Sequence, residues 1–190
     1  ILGQPGGQRF IEAALANTDA RVREGRNVSP AFLFATLLWH EVLGQWGAAK
    51  GKGERPLPAL FDAMDAVLSH QASRIQIPRR FEATIKEIWS LQPRFEQRAG
   101  QRPYRLLEHP RYRMAYDFLL LRAEAGEAPQ ALADWWTRFG EVGEAEREAM
   151  LKPDEAPTKR RRSRGRGRKR REENAPPQDA GDAPDDGVAN

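Results

Sequence analysis

The sequence predicts an all-α fold: a bundle-like domain of about six to seven helices over residues 1–143, followed by a disordered tail over 144–190 that turns from basic to acidic. Three observations predict it. Apolar residues recur at steps of three and four in successive segments of the N-terminal part. Those segments are punctuated by Ser29-Pro30, Pro78, Pro110 and Gly126, residue types suited to start or close helices. No segment alternates with period two, and no run of Val, Ile and Thr marks a strand.

The elements follow in order. Phe10, Ile11, Ala14, Leu15 and Thr18 predict an amphipathic helix over 7–22. Ser29 and Pro30 start a second helix that is apolar on nearly every side through Trp39, the pattern of a helix buried among neighbours. It fades in the Gly and Lys cluster at 48–53, read as a flexible loop. Leu57, Leu60, Phe61, Met64, Val67 and Leu68 predict a third helix, with Asp62, Asp65 and Ser69 outward.

Pro78 opens a fourth helix with Phe81, Ile85, Ile88 and Trp89 on its core side, and Pro93 ends or kinks it. A short helix at 104–108 precedes Pro110. A longer one runs from there to Ala125, with Met114, Phe118 and Leu121 inward and Gly126 closing it. The last helix, 129–139, carries Leu132, Trp135, Trp136 and Phe139. From Glu144 onward, charges with Pro, Ala and Gly cannot bury enough surface to offset ordering entropy, so disorder is expected.

A chain of 190 residues is sized for one folded unit. Cysteine is absent, which excludes a disulfide scaffold and thiolate zinc sites, and makes a reducing compartment, by default the cytoplasm, the expectation. The most apolar stretch, 31–39, is about half of what a bilayer crossing needs, so no membrane segment is expected. The chain opens on Ile1, for which a piece of a longer protein is one reading.

Charge is divided along the chain. Residues 1–158 hold 21 basic and 21 acidic side chains, and the run KRRRSRGRGRKRR holds ten further basic ones. That run consists of Lys159, Arg160, Arg161, Arg162, Arg164, Arg166, Arg168, Lys169, Arg170 and Arg171, spaced by Ser and Gly. Guanidinium groups grip phosphate through paired hydrogen bonds, and binding releases condensed counterions, so the run reads as a nucleic-acid tether. Its competing readings are a solubilising tail and a contact for acidic proteins.

The body is also polarised. Residues 74–113 hold ten basic and four acidic side chains, and 114–158 hold four basic and ten acidic. In the basic part Arg79, Arg80, Arg94, Arg98, Arg102, Arg105, Arg111 and Arg113 are interleaved with Phe95, Tyr104 and Tyr112. Cations beside aromatic rings can hold a backbone and stack the bases of a single strand. A solvated face with core aromatics is the competing reading, and for Phe81 and Trp89 core spacing favours it.

Chemistry is sparse. His40, His70 and His109 are far apart and form no metal-ligand spacing; His40 reads as a hydrogen-bonded core residue and His109 as a turn or cap residue. Asp62 and Asp65 read as the wet side of a helix. Glu144, Glu146 and Glu148 read as a charge run in a fading helix, not a metal cage. No Gly-rich phosphate loop is present. No catalytic residue, metal ligand or cofactor site is therefore assigned.

The segments Ile88-Trp89 with Leu91-Gln92, LLEHPRYRMAYDFLLLRAE at 106–124, the Trp135-Trp136 pair and the trailing Arg-rich run stand in the order found in the C-terminal region of bacterial poly(A) polymerases, which this chain closely resembles. The upstream stretches NTDARV and SPAFLFATLLW resemble the helical part before it. The resemblance implies the class II nucleotidyltransferase superfamily. In that family a separate N-terminal head, with a Gly-Ser pair and two metal-binding aspartates, adds AMP to RNA using ATP and magnesium. This sequence has no Gly-Ser dipeptide and no Asp-x-Asp, so no catalytic residue carries over and the chain alone is expected to be inactive. What carries over is the holding of RNA, with single-stranded 3′ ends as the partner. A free-standing RNA-binding adaptor and the C-terminal part of a CCA-adding enzyme are the other readings.

Overall fold

Eight α-helices are present in the computed structural model among its described residues, 5–25, 27–72 and 74–151. They are α1 (Pro5–Arg23), α2 (Pro30–Gly51), α3 (Pro56–Gln71), α4 (Arg79–Leu91), α5 (Arg102–Leu107), α6 (Tyr112–Glu124), α7 (Gln130–Glu141) and α8 (Glu144–Met150), with a 3-10 helix at Gln92–Glu96 between α4 and α5. The all-α expectation holds, with no strand element among these residues. None of the described helices is long and apolar enough to cross a membrane.

Local chemistry explains the boundaries. Ser29 stays extended and its hydroxyl accepts from the Phe32 amide, while Pro30, which has no amide to satisfy, takes the first position of α2. Gly126 turns the chain after α6 at φ 78°, a conformation side chains with a Cβ disfavour. Pro93 converts the end of α4 into the 3-10 turn. The Arg111 amide donates to Nδ1 of His109 at 3.1 Å, which makes His109 the organiser of the turn before α6.

Two apolar clusters form the interior. The first joins Phe10, Trp39, Leu60, Met64, Ile85, Ile88, Trp89 and Phe118, so α2 is a hub as expected. Trp89 ties the cluster together by donating Nε1 to the Ala35 carbonyl at 3.0 Å. The second gathers Phe95, Leu106, Leu119, Leu132, Trp136 and Phe139. α6 serves both, with Phe118 in the first and Ala115 and Leu119 in the second.

Between the clusters sits a polar joint. Buried Gln92 donates Nε2 to the carbonyls of Ile88 and Ala115 at 3.0 and 3.1 Å, and its Oε1 accepts from Nη1 of Arg122 at 3.2 Å. The Arg122 guanidinium lies 5.3 Å from the Trp39 ring centroid. Burial pushes its pKa below the ordinary arginine value, with Glu127 and Glu96 opposing that shift. It stays charged at neutral pH. Next to it, His40 and Oε1 of Glu127 share a hydrogen bond at 2.5 Å, which accounts for the histidine as a core group. Arg122→Ala is expected to lower unfolding free energy by about 3 kcal/mol in urea titrations, because Gln92 loses a buried donor and Glu127 a nearby cation.

Four expectations are corrected. α2 continues through the Gly and Lys cluster to Gly51, because the Lys52 amide closes its last turn on the carbonyls of Ala48, Ala49 and Lys50. Leu15, Leu57 and Phe61 share the helical spacing of the core face yet are half-exposed, since α1 and α3 meet their neighbours through Phe10 and Ala14 and through Leu60, Met64 and Val67. Phe95 is fully buried, which removes it as a base-stacking surface. Finally, α8 is ordered beyond residue 143, where disorder was expected. Its Arg147 donates to the free carbonyls of Phe139 at 2.8 Å and Gly140 at 3.0 Å, satisfying the end of α7. Glu144 and Glu146 in its first turn and Arg147 in its last complement the helix dipole.

Candidate nucleic-acid interface

The arginines of the basic segment are placed by α4, the 3-10 helix, α5 and the start of α6. Arg79 and Arg80 occupy the exposed first turn of α4. Cations at a helix N-terminus oppose its dipole, so helix stability does not explain them. The Arg80 guanidinium lies 4.8 Å from the Phe81 ring centroid. On α5, Pro103 and Leu106 face inward while Arg102 and Arg105, three residues apart, face solvent. Arg94 is half-buried on the 3-10 helix.

These five arginines have no carboxylate at ion-pair distance among the described residues. Three others are engaged. Nε of Arg111 bonds Glu87 at 3.0 Å, and Nε of Arg113 bonds Asp117 at 3.1 Å. Arg98 is half-buried with its guanidinium 5.6 Å from the Trp135 ring centroid. The eight body arginines are thus one set in the sequence and two by their partners.

The aromatic half of the expectation fares differently. Tyr104 leans edge-on against Phe139 at 5.4 Å, within the second cluster. Tyr112 stacks on Tyr116 at 5.8 Å, and burial, followed by the neighbouring Tyr116, raises its pKa above the usual phenol value. The Trp pair divides: Trp136 is fully buried and donates to the Phe95 carbonyl at 2.8 Å, while Trp135 is half-buried, stacked on Phe139 and under Arg98. Lys159 through Arg171 lie outside the described residues.

Two functional groupings escaped the sequence. One is Arg122, which directly follows the apolar run Phe118–Leu121 of α6 and is largely buried with it. The other is a cleft at α1 and α2 lined by Asn17, Arg21 and Asn27 together with Val28, Phe32 and Met114, residues that look like ordinary helix surface and loop in one dimension. Among the described residues no group of three or more His, Cys, Asp or Glu could hold a metal ion. The described residues do not fit a magnesium centre.

The fold defines an all-helical domain with exposed arginines on α4 and α5, and the sequence continues into an arginine-rich run. The chain belongs to the family described as Polymerase A arginine-rich C-terminus, whose model matches residues 52–172. It is 40% identical over 161 residues to Poly(A) polymerase I of Escherichia coli O157:H7, covering 83% of this chain and 35% of that protein. It is 38% identical over 162 residues to Poly(A) polymerase I of Salmonella typhimurium, with the same shares covered. For the Haemophilus influenzae Poly(A) polymerase I the identity is 35% over 147 residues, covering 76% of this chain and 32% of the relative. The chain spans about a third of the length of the curated relatives it matches.

Proposed function

We propose that this chain is the RNA-holding part of a poly(A) polymerase, positioning single-stranded 3′ ends for template-independent addition of AMP. The reading rests on one observation: Arg79, Arg80, Arg94, Arg102 and Arg105 lie on α4, the 3-10 helix and α5 without neutralising carboxylates, although the folded body carries both signs of charge in balance. Unpaired guanidinium groups are ready to take phosphate, whereas paired ones must first give up a partner. The run 159–171 adds affinity with no sequence preference. ATP and magnesium belong to a nucleotidyltransferase head outside this sequence, and the whole works in the cytoplasm.

The test compares paired and unpaired arginines. Reversing Arg102 and Arg105 together to Glu is expected to weaken oligo(A) binding by about tenfold and to flatten the salt slope by about 1.4, the share of two contacts on a single strand. Arg111→Ala is expected to change affinity far less, because its charge already serves Glu87. Equal effects of the two changes in a salt-series titration would reject the assignment of the interface to α5.

A further inference from the structure

α4 opens with Arg79, Arg80 and Phe81, and Ile85, Ile88 and Trp89 of its core stripe are fully buried. Phe81 keeps that spacing one turn earlier, yet stays partly exposed. Its ring is backed from within. Phe34 of α2 lies 6.4 Å away at a 36° tilt, and both residues pack on the first apolar cluster. Against the same ring stands Arg80, its guanidinium carbon 4.8 Å from the centroid. The three side chains form a connected series from the core to an exposed cation.

Neither an ion pair nor helix stability accounts for that cation. Arg80 has no carboxylate at ion-pair distance among the described residues, and as the second residue of α4 it opposes the helix dipole. Its contact with Phe81 restricts a long side chain that would otherwise sample many rotamers. A guanidinium is planar and weakly hydrated, so its outer side can take the flat face of an unpaired base. A lysine in the same place would supply the charge without the plane.

We propose that Arg80 on Phe81 is a stacking stand for one unpaired base of the bound strand. Arg80 touches the base, and Phe81 and Phe34 are positioning residues behind it. The inference rests on the RNA-holding reading above and adds a contact to a base where that reading needs only phosphate. Every base has a π-face, so the stand grips without selecting a sequence. An acidic peptide would meet the same arginine by charge alone.

Three ligands of equal length separate these contacts: oligo(A), a ribose-phosphate strand without bases, and oligo-glutamate. Each is titrated against the full 190-residue chain at physiological ionic strength by fluorescence anisotropy. Arg80→Lys is expected to weaken oligo(A) binding about fivefold, the low end of what one stacked base contributes. Binding of the base-free strand and the salt slope are expected to stay the same, because the charge is kept. Arg80 is exposed, so this variant keeps the fold. Phe81→Leu, apolar but without a ring, is expected to give the same loss, and Phe81→Tyr to restore the affinity. The R80K/F81L double variant is expected to lose no more than either single one, since the two residues act as a unit. A purely structural Phe81 would tolerate Leu as well as Tyr.

Equal losses for oligo(A) and the base-free strand reduce Arg80 to a phosphate contact and overturn the stand. An Arg80→Lys or Phe81→Leu protein that binds oligo(A) normally overturns it likewise. Both results leave the RNA-holding reading in place. Oligo-glutamate that binds as tightly as oligo(A), and is weakened equally by Arg80→Lys, reassigns the surface to an acidic protein and overturns the stand. Failure of the unmutated chain to bind oligo(A) even at low salt overturns the stand and the RNA-holding reading together.

Discussion

Deleting residues 159–171 is expected to produce the largest loss of RNA affinity of any single change to this chain. The segment carries ten Lys or Arg, whereas the arginines assigned above to the interface, Arg79, Arg80, Arg94, Arg102 and Arg105, number half as many. Each phosphate neutralised on a single strand contributes about 0.7 to the salt slope, so full engagement of the run corresponds to a slope near −7. A partial engagement of five contacts would still flatten the slope by about 3.5 on deletion and lower affinity at low salt by about a hundredfold or more. Titrations of oligo(A) across a salt series, with and without the run, check both numbers. An unchanged slope would reject the tether.

Trp136→Ala is expected to cause the largest loss of stability. The side chain is fully buried and meets Phe95 at 5.1 Å and Phe139 at 5.7 Å, and its Nε1 satisfies the Phe95 carbonyl. Removing a buried tryptophan costs about 3–5 kcal/mol through lost transfer energy and the cavity left behind. The orphaned carbonyl adds to this. Against a total stability of about 5–15 kcal/mol, such a loss brings the domain close to unfolding, with the melting temperature down by about 10 °C or more. Trp135→Ala is expected to cost clearly less, since Trp135 is only half-buried. Its ring carries Arg98 and its Nε1 donates to the Met150 carbonyl at 3.4 Å, so its loss loosens α8 and the arginine rather than the core. Thermal melts of the two variants side by side check the order, and equal losses would contradict the division between the neighbours.

That division shows where one-dimensional reading stopped. Adjacent tryptophans on a helix point about 100° apart, and periodicity identifies that angle without saying which direction holds a neighbour. Phe61 illustrates the same limit: it keeps helical spacing with Leu60, Met64, Val67 and Leu68, yet half its surface meets water. In the sequence α8 reads only as a charge run in a fading helix, for a different reason. It carries no apolar face to detect, and its anchoring comes from Arg147 on the two carbonyls that α7 leaves open.

By itself the sequence determined the helical class, nearly all the helix starts and stops, and the concentration of arginine in two regions. These are local properties, set by residue spacing, by Ser, Pro and Gly at the ends, and by composition. Only the tertiary structure decided which arginines stand free. Arg111 and Arg105 are alike in the chain, but Glu87 on α4 comes within 3.0 Å of one and no described carboxylate comes within ion-pair distance of the other. The cleft on α1 likewise joins distant residues, with Asp117, nearly a hundred positions away, folded back onto Arg21. Charge pairing and concavity depend on partners distant in sequence, and no local pattern encodes a partner's position.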